Sequence, residues 1–213
     1  MTHVSLELLG KARSLAEKFE ATVQAILLGP YVQSVPDQLI AYGADKVICL
    51  SDSRLGEFHD EAYAHVLARV IRREQPSIFL GGATAIGRAL LPRVAVMLHT
   101  GLTADCTELS IDAETGVLRQ TRPAFGGNIF ATITCERHRP QMATVRPGVF
   151  PKPQPDYART GAITSEGVNE EDLQKRTCLR SFCSSGAGSN NLWEADVIVA
   201  AGYGVGGTQG VEL

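Results

Sequence analysis

The sequence contains no apolar run near the ~20 residues that a membrane helix needs, which argues against insertion in a membrane. Its first residues, MTHVSLELLGKARSLAEKF, form an amphipathic pattern interrupted by acids, with no apolar leader core and no small-residue cleavage site. A cytoplasmic location is the expectation. There is no excess of positive charge: the formal net charge is −3, so nothing suggests a nucleic-acid or anionic-lipid partner. Cysteine is sparse and odd in number, with Cys49, Cys106, Cys135, Cys178 and Cys183 scattered along the chain. Only Cys178 and Cys183 are close, and no histidine follows at zinc-ligand spacing, so reduced thiols are expected rather than a disulfide framework or a metal centre. Also missing are a G-x-S-x-G elbow, a Gly-Lys-Ser/Thr phosphate loop and any paired nucleophile and base, which argues against hydrolytic catalysis.

What is present suits a globular α/β protein. The apolar share of 44% and charged share of 20%, in a chain of 213 residues, is enough to bury a real core. Val4, Leu8, Leu9, Ala12, Leu15 and Ala16 fall at helical spacing. Thr22 to Leu28, Lys46 to Leu50 and Ser77 to Leu80 are short aliphatic runs closed by turn residues, and read as strands. Between them lie a helix opened by Pro36 and a strong helix over 60–74 with Tyr63, Val66, Leu67, Val70 and Ile71 on one face. Thr84 can cap a further helix that turns Ile86, Leu90, Val94 and Leu98 inward. This alternation predicts a wound, mostly parallel sheet with helices on both faces. After Thr100 the rhythm changes: Leu102–Leu109, Val117–Thr121, Asn128–Thr134 and Met142–Val145 read as strands without helices, as in an antiparallel edge. An opening helix with no strand before it is unusual for such a sheet.

The domain organisation expected is an α/β domain over 1–150, a Pro/Gly-rich linker over 151–169, and the incomplete start of a second domain over 170–213. Within that last stretch, CSSGAGSNN (183–191) reads as a loop and Ala195 to Ala201 as a buried parallel strand.

Three places carry candidate chemistry. Gly202-Tyr203-Gly204-Val205-Gly206-Gly207 satisfies G-x-G-x-x-G after a strand, but no helix of useful length and no distant acid follow it. The glycines either turn the chain or form one wall of a larger site. Gly81-Gly82-Ala83-Thr84 opens a helix at the carboxyl end of a parallel strand, where wound sheets keep their ligand crevice; Arg88 in its first turn could meet an acid or face solvent. In QTRPAFGGN, Pro123 forces Arg122 to be extended beside a glycine reversal, an arrangement suited to a planar polar group or carboxylate. Arg137, His138, Arg139 and Arg146 continue the basic theme, which fits an interface or ion-pair network better than a catalytic site. Asp105 and Glu108 have no partner histidine and would face different sides of a strand.

GGATAIGRALLPRVAVMLHTGLTADCTELSID, QTRPAFGGN and HRPQMATVRPGVF, with VSLELLGKARSLAEKF and LIAYGADKV, resemble the α subunit of electron transfer flavoprotein, and the likeness resumes at ADVIVAAGYGVGG. The resemblance implies an electron carrier rather than a catalyst with its own substrate. It would act as a heterodimer with a β subunit, between flavin dehydrogenases and an acceptor, through FAD. It implies cofactor contacts from Thr103, Thr121, Arg122, Gly202, Tyr203 and Gly204, with Arg122 close to a second flavin held by the β subunit in members that split electron pairs. Three departures are expected from it: a first strand missing before the opening helix, Tyr203 where the family has a flavin-facing arginine, and an end before the remaining FAD motifs. The chain alone should then hold FAD weakly. The alternative is a scaffold domain that kept the interface and lost the flavin.

Overall fold

The computed structural model describes residues 2–17, 19–32, 35–181, 197–207 and 210. The chain divides into Met1–Arg176 and Thr177–Leu213.

In the first unit, two three-stranded parallel sheets are covered by helices. One sheet has the order β1 (Gln24–Gly29), β2 (Lys46–Ser51), β9 (Ala162–Glu166). The other has the order β3 (Ile78–Gly82), β8 (Gln141–Val145), β4 (Leu102–Cys106). A third, antiparallel sheet is built from β5 (Glu108–Ile111), β6 (Leu118–Ala124) and β7 (Ile129–Ile133). The helices are α1 (His3–Glu17), α2 (Pro36–Ala41), α3 (Asp60–Glu74) and α4 (Ala85–Met97).

Strand alternation decides which helix covers which face. Ala25, Leu27, Val47 and Cys49 point to α1 and α2, while Ile26, Leu28, Ile48 and Leu50 point to α3. Phe79 and Met142 join Ile26 and Leu28 against α3 and α4. Helix α1 serves both parallel sheets: Leu6, Leu9 and Ala16 pack on β1 and β2, and Val4, Leu8 and Leu15 on β3 and β8. Two adjacent glycines let the helices close on β3 from opposite sides. A Cβ on Gly81 would lie 2.3 Å from Leu91 of α4, and one on Gly82 would lie 2.6 Å from Val4 of α1. Thr84 accepts a hydrogen bond from the Gly87 amide at 3.1 Å and so caps α4 as its sequence implies.

The α/β class stands, with four corrections of detail. Strand β8 is not on an antiparallel edge; it is the central, parallel member of its sheet, and all its residues are buried. Residues 151–169 were expected as a linker, yet 162–166 form β9 and extend the first sheet beside β2, more than a hundred residues away in sequence. Long-range pairing makes that strand, because its residues are mostly small or polar and largely exposed. Ile86 is 51% exposed rather than turned inward. In the second unit, residues 197–201 form no strand among the described residues and Val199 is 93% exposed, since an isolated strand has no ladder partner. The loop 183–191 lies outside the described residues, as do Ala195 and Asp196 of the expected strand.

Past β9 the chain is fixed to α3 by charge and one apolar anchor. Arg69 pairs with Asp172 at 2.6 Å, Arg73 with Glu166, and Arg54 with Glu170, while Leu173 is buried beside Leu55 and Ala62. Glu61 is buried and accepts from the Arg176 amide at 2.9 Å and its guanidinium at 2.6 Å, with Arg93 nearby.

Two outcomes follow from this packing. A Cβ on Gly87 would lie 1.9 Å from the backbone oxygen of Gly82, which cannot rotate away. Gly87→Ala should therefore lower stability by about 1–3 kcal/mol, the usual cost of overpacking, measurable by urea unfolding. The Arg176 amide and guanidinium hold the Glu61 carboxyl down at about 2, from an ordinary 4.5. A lowered carboxyl stabilises the fold above its unfolded pKa and loses that contribution as the pH falls through its folded value. Unfolding free energy should decline between pH 4.5 and about 2, and Glu61→Gln should flatten that decline.

Candidate functional site

The carboxyl ends of β3, β8 and β4 meet where parallel sheets present ligand sites. At this edge β4 is bulged: Thr103 pairs with Ala143 and Cys106 with Val145, so an extra residue is accommodated. The bulge includes Asp105 at φ 61, a left-handed conformation that aspartate tolerates better than most side chains. The Asp105 amide donates to Thr144 Oγ1 at 2.9 Å, and the Arg146 amide donates to the Cys106 carbonyl at 3.0 Å.

The turn aims the Asp105 carboxylate at three arginines from three elements. Arg146, just past β8, binds it in two-pronged fashion, Nη2 to Oδ2 at 2.6 Å and Nε to Oδ1 at 3.2 Å. Arg88, in the first turn of α4, reaches Oδ1 at 3.8 Å while its Nε donates to the Ala83 carbonyl at 3.0 Å. Arg122, on β6, acts on Asp105 through its charge and has no hydrogen-bond or ion-pair partner among the described residues. Together they hold the Asp105 carboxyl below the ordinary carboxylate value, with Arg146 the main cause. Burial pushes the Cys106 thiol up to about 11, against the pull of Arg122. Glu7 of α1 accepts from the Gly148 amide at 2.9 Å and 3.2 Å, pinning the turn that follows Arg146.

The sequence-based site residues belong to both units. Arg122 belongs to the arginine cluster. Thr103 lies nearby in β4 but is buried, and its carbonyl accepts from the Cys106 thiol at 3.6 Å. Thr121 faces Thr132 across the hairpin, hydroxyl to hydroxyl at 2.9 Å, and its carbonyl accepts from the Thr107 amide. Gly202, Tyr203 and Gly204 lie in the second unit, in a 3₁₀ turn over Tyr203–Val205 with Gly206 left-handed. Tyr203 is fully exposed, and neither strand nor α-helix is present among residues 197–207 to wall a cofactor site. Asp105 was missed. The sequence set Asp105 only against Glu108, without a partner histidine, and the hint of its place here was an aspartate, a residue suited to positive φ, inside a strand-like run.

Beyond the cluster, β6 and β7 run on as a hairpin closed by Phe125–Gly127. Phe125 is 85% exposed, and Ile129 and Phe130 of β7 are also exposed, on opposite faces of the strand. The outer edge of β7 has no strand partner among the described residues. Such an apolar arm is a feature of protein–protein contact.

Comparison with known proteins decides the family. Residues 1–171 match the family model described as the electron transfer flavoprotein domain. The chain belongs to the electron transfer flavoprotein family. It is 44% identical over its whole length to an electron transfer flavoprotein subunit alpha of Thermoanaerobacterium thermosaccharolyticum, covering 64% of that protein. It is 46% identical to the subunit alpha of Megasphaera elsdenii, over 95% of this chain and 60% of that one. An acryloyl-CoA reductase electron transfer subunit beta of Anaerotignum propionicum is 38% identical, over 96% of this chain and 62% of the relative. This electron transfer flavoprotein family member thus spans less than two thirds of the length of these relatives. No group of metal-ligating side chains occurs among its described residues, and no described helix is long and apolar enough to cross a membrane.

Cysteine labelling checks the burial at the cluster. Cys106 and Cys49 are buried with raised thiol pKa values, whereas Cys178 is exposed. Iodoacetamide at pH 8 should modify Cys178 in the native protein and spare the other two, as read by peptide mass spectrometry. Early modification of Cys106 would contradict its place beneath the cluster.

Proposed function

We propose that this chain acts as an electron transfer flavoprotein α subunit, taking electrons from flavin dehydrogenases and passing them to an acceptor as a heterodimer with a β subunit. FAD, when bound, supplies the redox chemistry. The observation that carries the reading is Arg122, an arginine of β6 with no carboxylate of its own, whose charge acts on Asp105 at the carboxyl end of the parallel strand β4. Asp105 carries the one negative charge against Arg88, Arg122 and Arg146, so the cluster remains net positive. That excess suits a group on which negative charge builds up, and a guanidinium free of a carboxylate partner would stabilise a reduced flavin ring beside it. The fit to a flavin is electrostatic and rests on this edge of the chain.

In this reading Thr103 and Thr121 shape that edge. Thr103 is buried beneath the bulge, and Thr121 is tied to Thr132. Gly202, Tyr203 and Gly204 would offer a flexible backbone and a ring able to stack on a flavin face, but no positive charge. The hairpin arm suits the β subunit: Phe125, Ile129 and Phe130 supply apolar contact, and the open edge of β7 supplies backbone donors and acceptors. A domain division in which the chain beyond Arg176 belongs to a separate FAD-binding part is consistent with the two units. A cytoplasmic location fits the thiols, all of which are free among the described residues.

The test is co-expression with the β subunit, followed by a visible spectrum of the purified pair. Flavin bands that co-purify with both chains are expected, and Arg122→Ala should lower the midpoint potential of a flavin in that pair. A colourless complex would favour the scaffold reading, and an unchanged potential would remove Arg122 from the flavin edge.

A further inference from the structure

We propose that Asp105 is a positioning residue for the electron-transfer site: it ties Arg146 and Arg88 to the sheet edge and leaves Arg122 as the guanidinium available to the bound group. This deepens the reading above and rests on it.

Both oxygens of the Asp105 carboxylate are engaged. Oδ2 takes Arg146 Nη2 at 2.6 Å, and Oδ1 takes Arg146 Nε at 3.2 Å with Arg88 Nη2 at 3.8 Å. Each tied arginine is also fixed at a second point. Arg88 donates to the Ala83 carbonyl, and the Arg146 backbone amide donates to Cys106 on the neighbouring strand. Arg122 lies close enough for its charge to act on Asp105 but forms no pair with it. One carboxylate thereby divides three similar cations into two that are anchored and one that is not. Without it, three mutually repelling guanidinium groups would compete for the same anionic ligand, and the long arginine side chains would lose their fixed directions.

The backbone shows that the aspartate is built into the edge. Asp105 sits at φ 61, inside a bulge that also turns its amide towards Thr144 Oγ1 at 2.9 Å. A regular strand would place the residue after the neighbour of Thr103 on the same face as Thr103, in the sheet interior. The extra residue turns the carboxylate out towards the arginines instead. Positive φ is costly for most side chains and cheapest, after glycine, for asparagine and aspartate. Asparagine therefore keeps the backbone conformation and the size of the side chain while removing the charge, so Asp105→Asn is a conservative probe.

The experiment uses the co-purified heterodimer with its flavin. Four forms are compared by spectroelectrochemical titration: wild type, Asp105→Asn, Arg122→Ala, and Asp112→Asn. Asp112 is a control carboxylate that pairs with Arg119 at 2.6 Å outside the cluster. Asp105→Asn should raise the flavin midpoint potential, because the cluster gains net positive charge and its arginines can swing to the ring. Asp112→Asn should leave it in place, and Arg122→Ala should lower it. If Arg122→Ala moves the potential while Asp105→Asn leaves it unchanged or lowers it, the positioning role is overturned and the functional reading survives. Equal shifts from Asp105→Asn and Asp112→Asn would overturn it too, because any surface carboxylate would then serve. If Arg122→Ala has no effect, the functional reading itself fails and takes this proposal with it. Circular dichroism of Asp105→Asn matching the wild type assigns a shift to the site rather than to the fold.

Discussion

Strand β8 is the constraint on which the rest of the first unit depends. It is flanked by β3 and β4 and covered on both faces, so every residue in it is buried. Met142 fills the space beneath α3 and α4, while Ala143 and Val145 meet α1 and the antiparallel sheet. Its two polar members are used within the protein: the Gln141 side-chain oxygen accepts from the Leu118 amide at 2.8 Å, and Thr144 accepts from Asp105. A buried strand tolerates such groups only when they are bonded, and here each bond ties β8 to a segment that carries a member of the arginine–aspartate cluster. Gln141 fixes the start of β6, which carries Arg122, and Thr144 fixes the bulge that carries Asp105.

The arginine cluster therefore grows from the core outwards. Gly81 and Gly82 let α4 and α1 approach β3, which sets the position of Arg88. Glu7, buried in α1, holds the turn beyond Arg146. The pairs themselves are partly exposed and contribute modestly to stability. Their effect is directional: Asp105 and the Ala83 carbonyl together hold the Arg88 guanidinium, and the two Asp105 oxygens hold that of Arg146.

The elements with strong local signals were legible in the sequence. The apolar face of Asp60–Glu74, the capping Thr84 and the short aliphatic strands before residue 83 are local patterns, and the structure reproduces them. What escaped was long-range. β9 has five residues of weak strand character and exists because the open edge of β2 accepts it. β8 looked like one more strand of an antiparallel series, because a sequence does not tell which neighbour a strand will choose. In the arginine cluster, the extended backbone of Arg122 was legible from the proline after it. Asp105 was not, because a bulge shifts the side-chain alternation on which the sequence argument relied.

The late pairing of β9 also sets where the first unit can be cut. A fragment ending near residue 150 would retain the site residues through Arg146 but strip β2 of its outer neighbour, exposing a row of unpaired amides and carbonyls along Lys46–Leu50. It would also lose Glu170, Asp172 and Glu166, which pair with Arg54, Arg69 and Arg73. An uncovered parallel edge of that kind recruits other chains, so such a fragment would tend to self-associate. The natural boundary for an expression fragment is after Arg176, which keeps β9 on β2 and the counter-charges of α3.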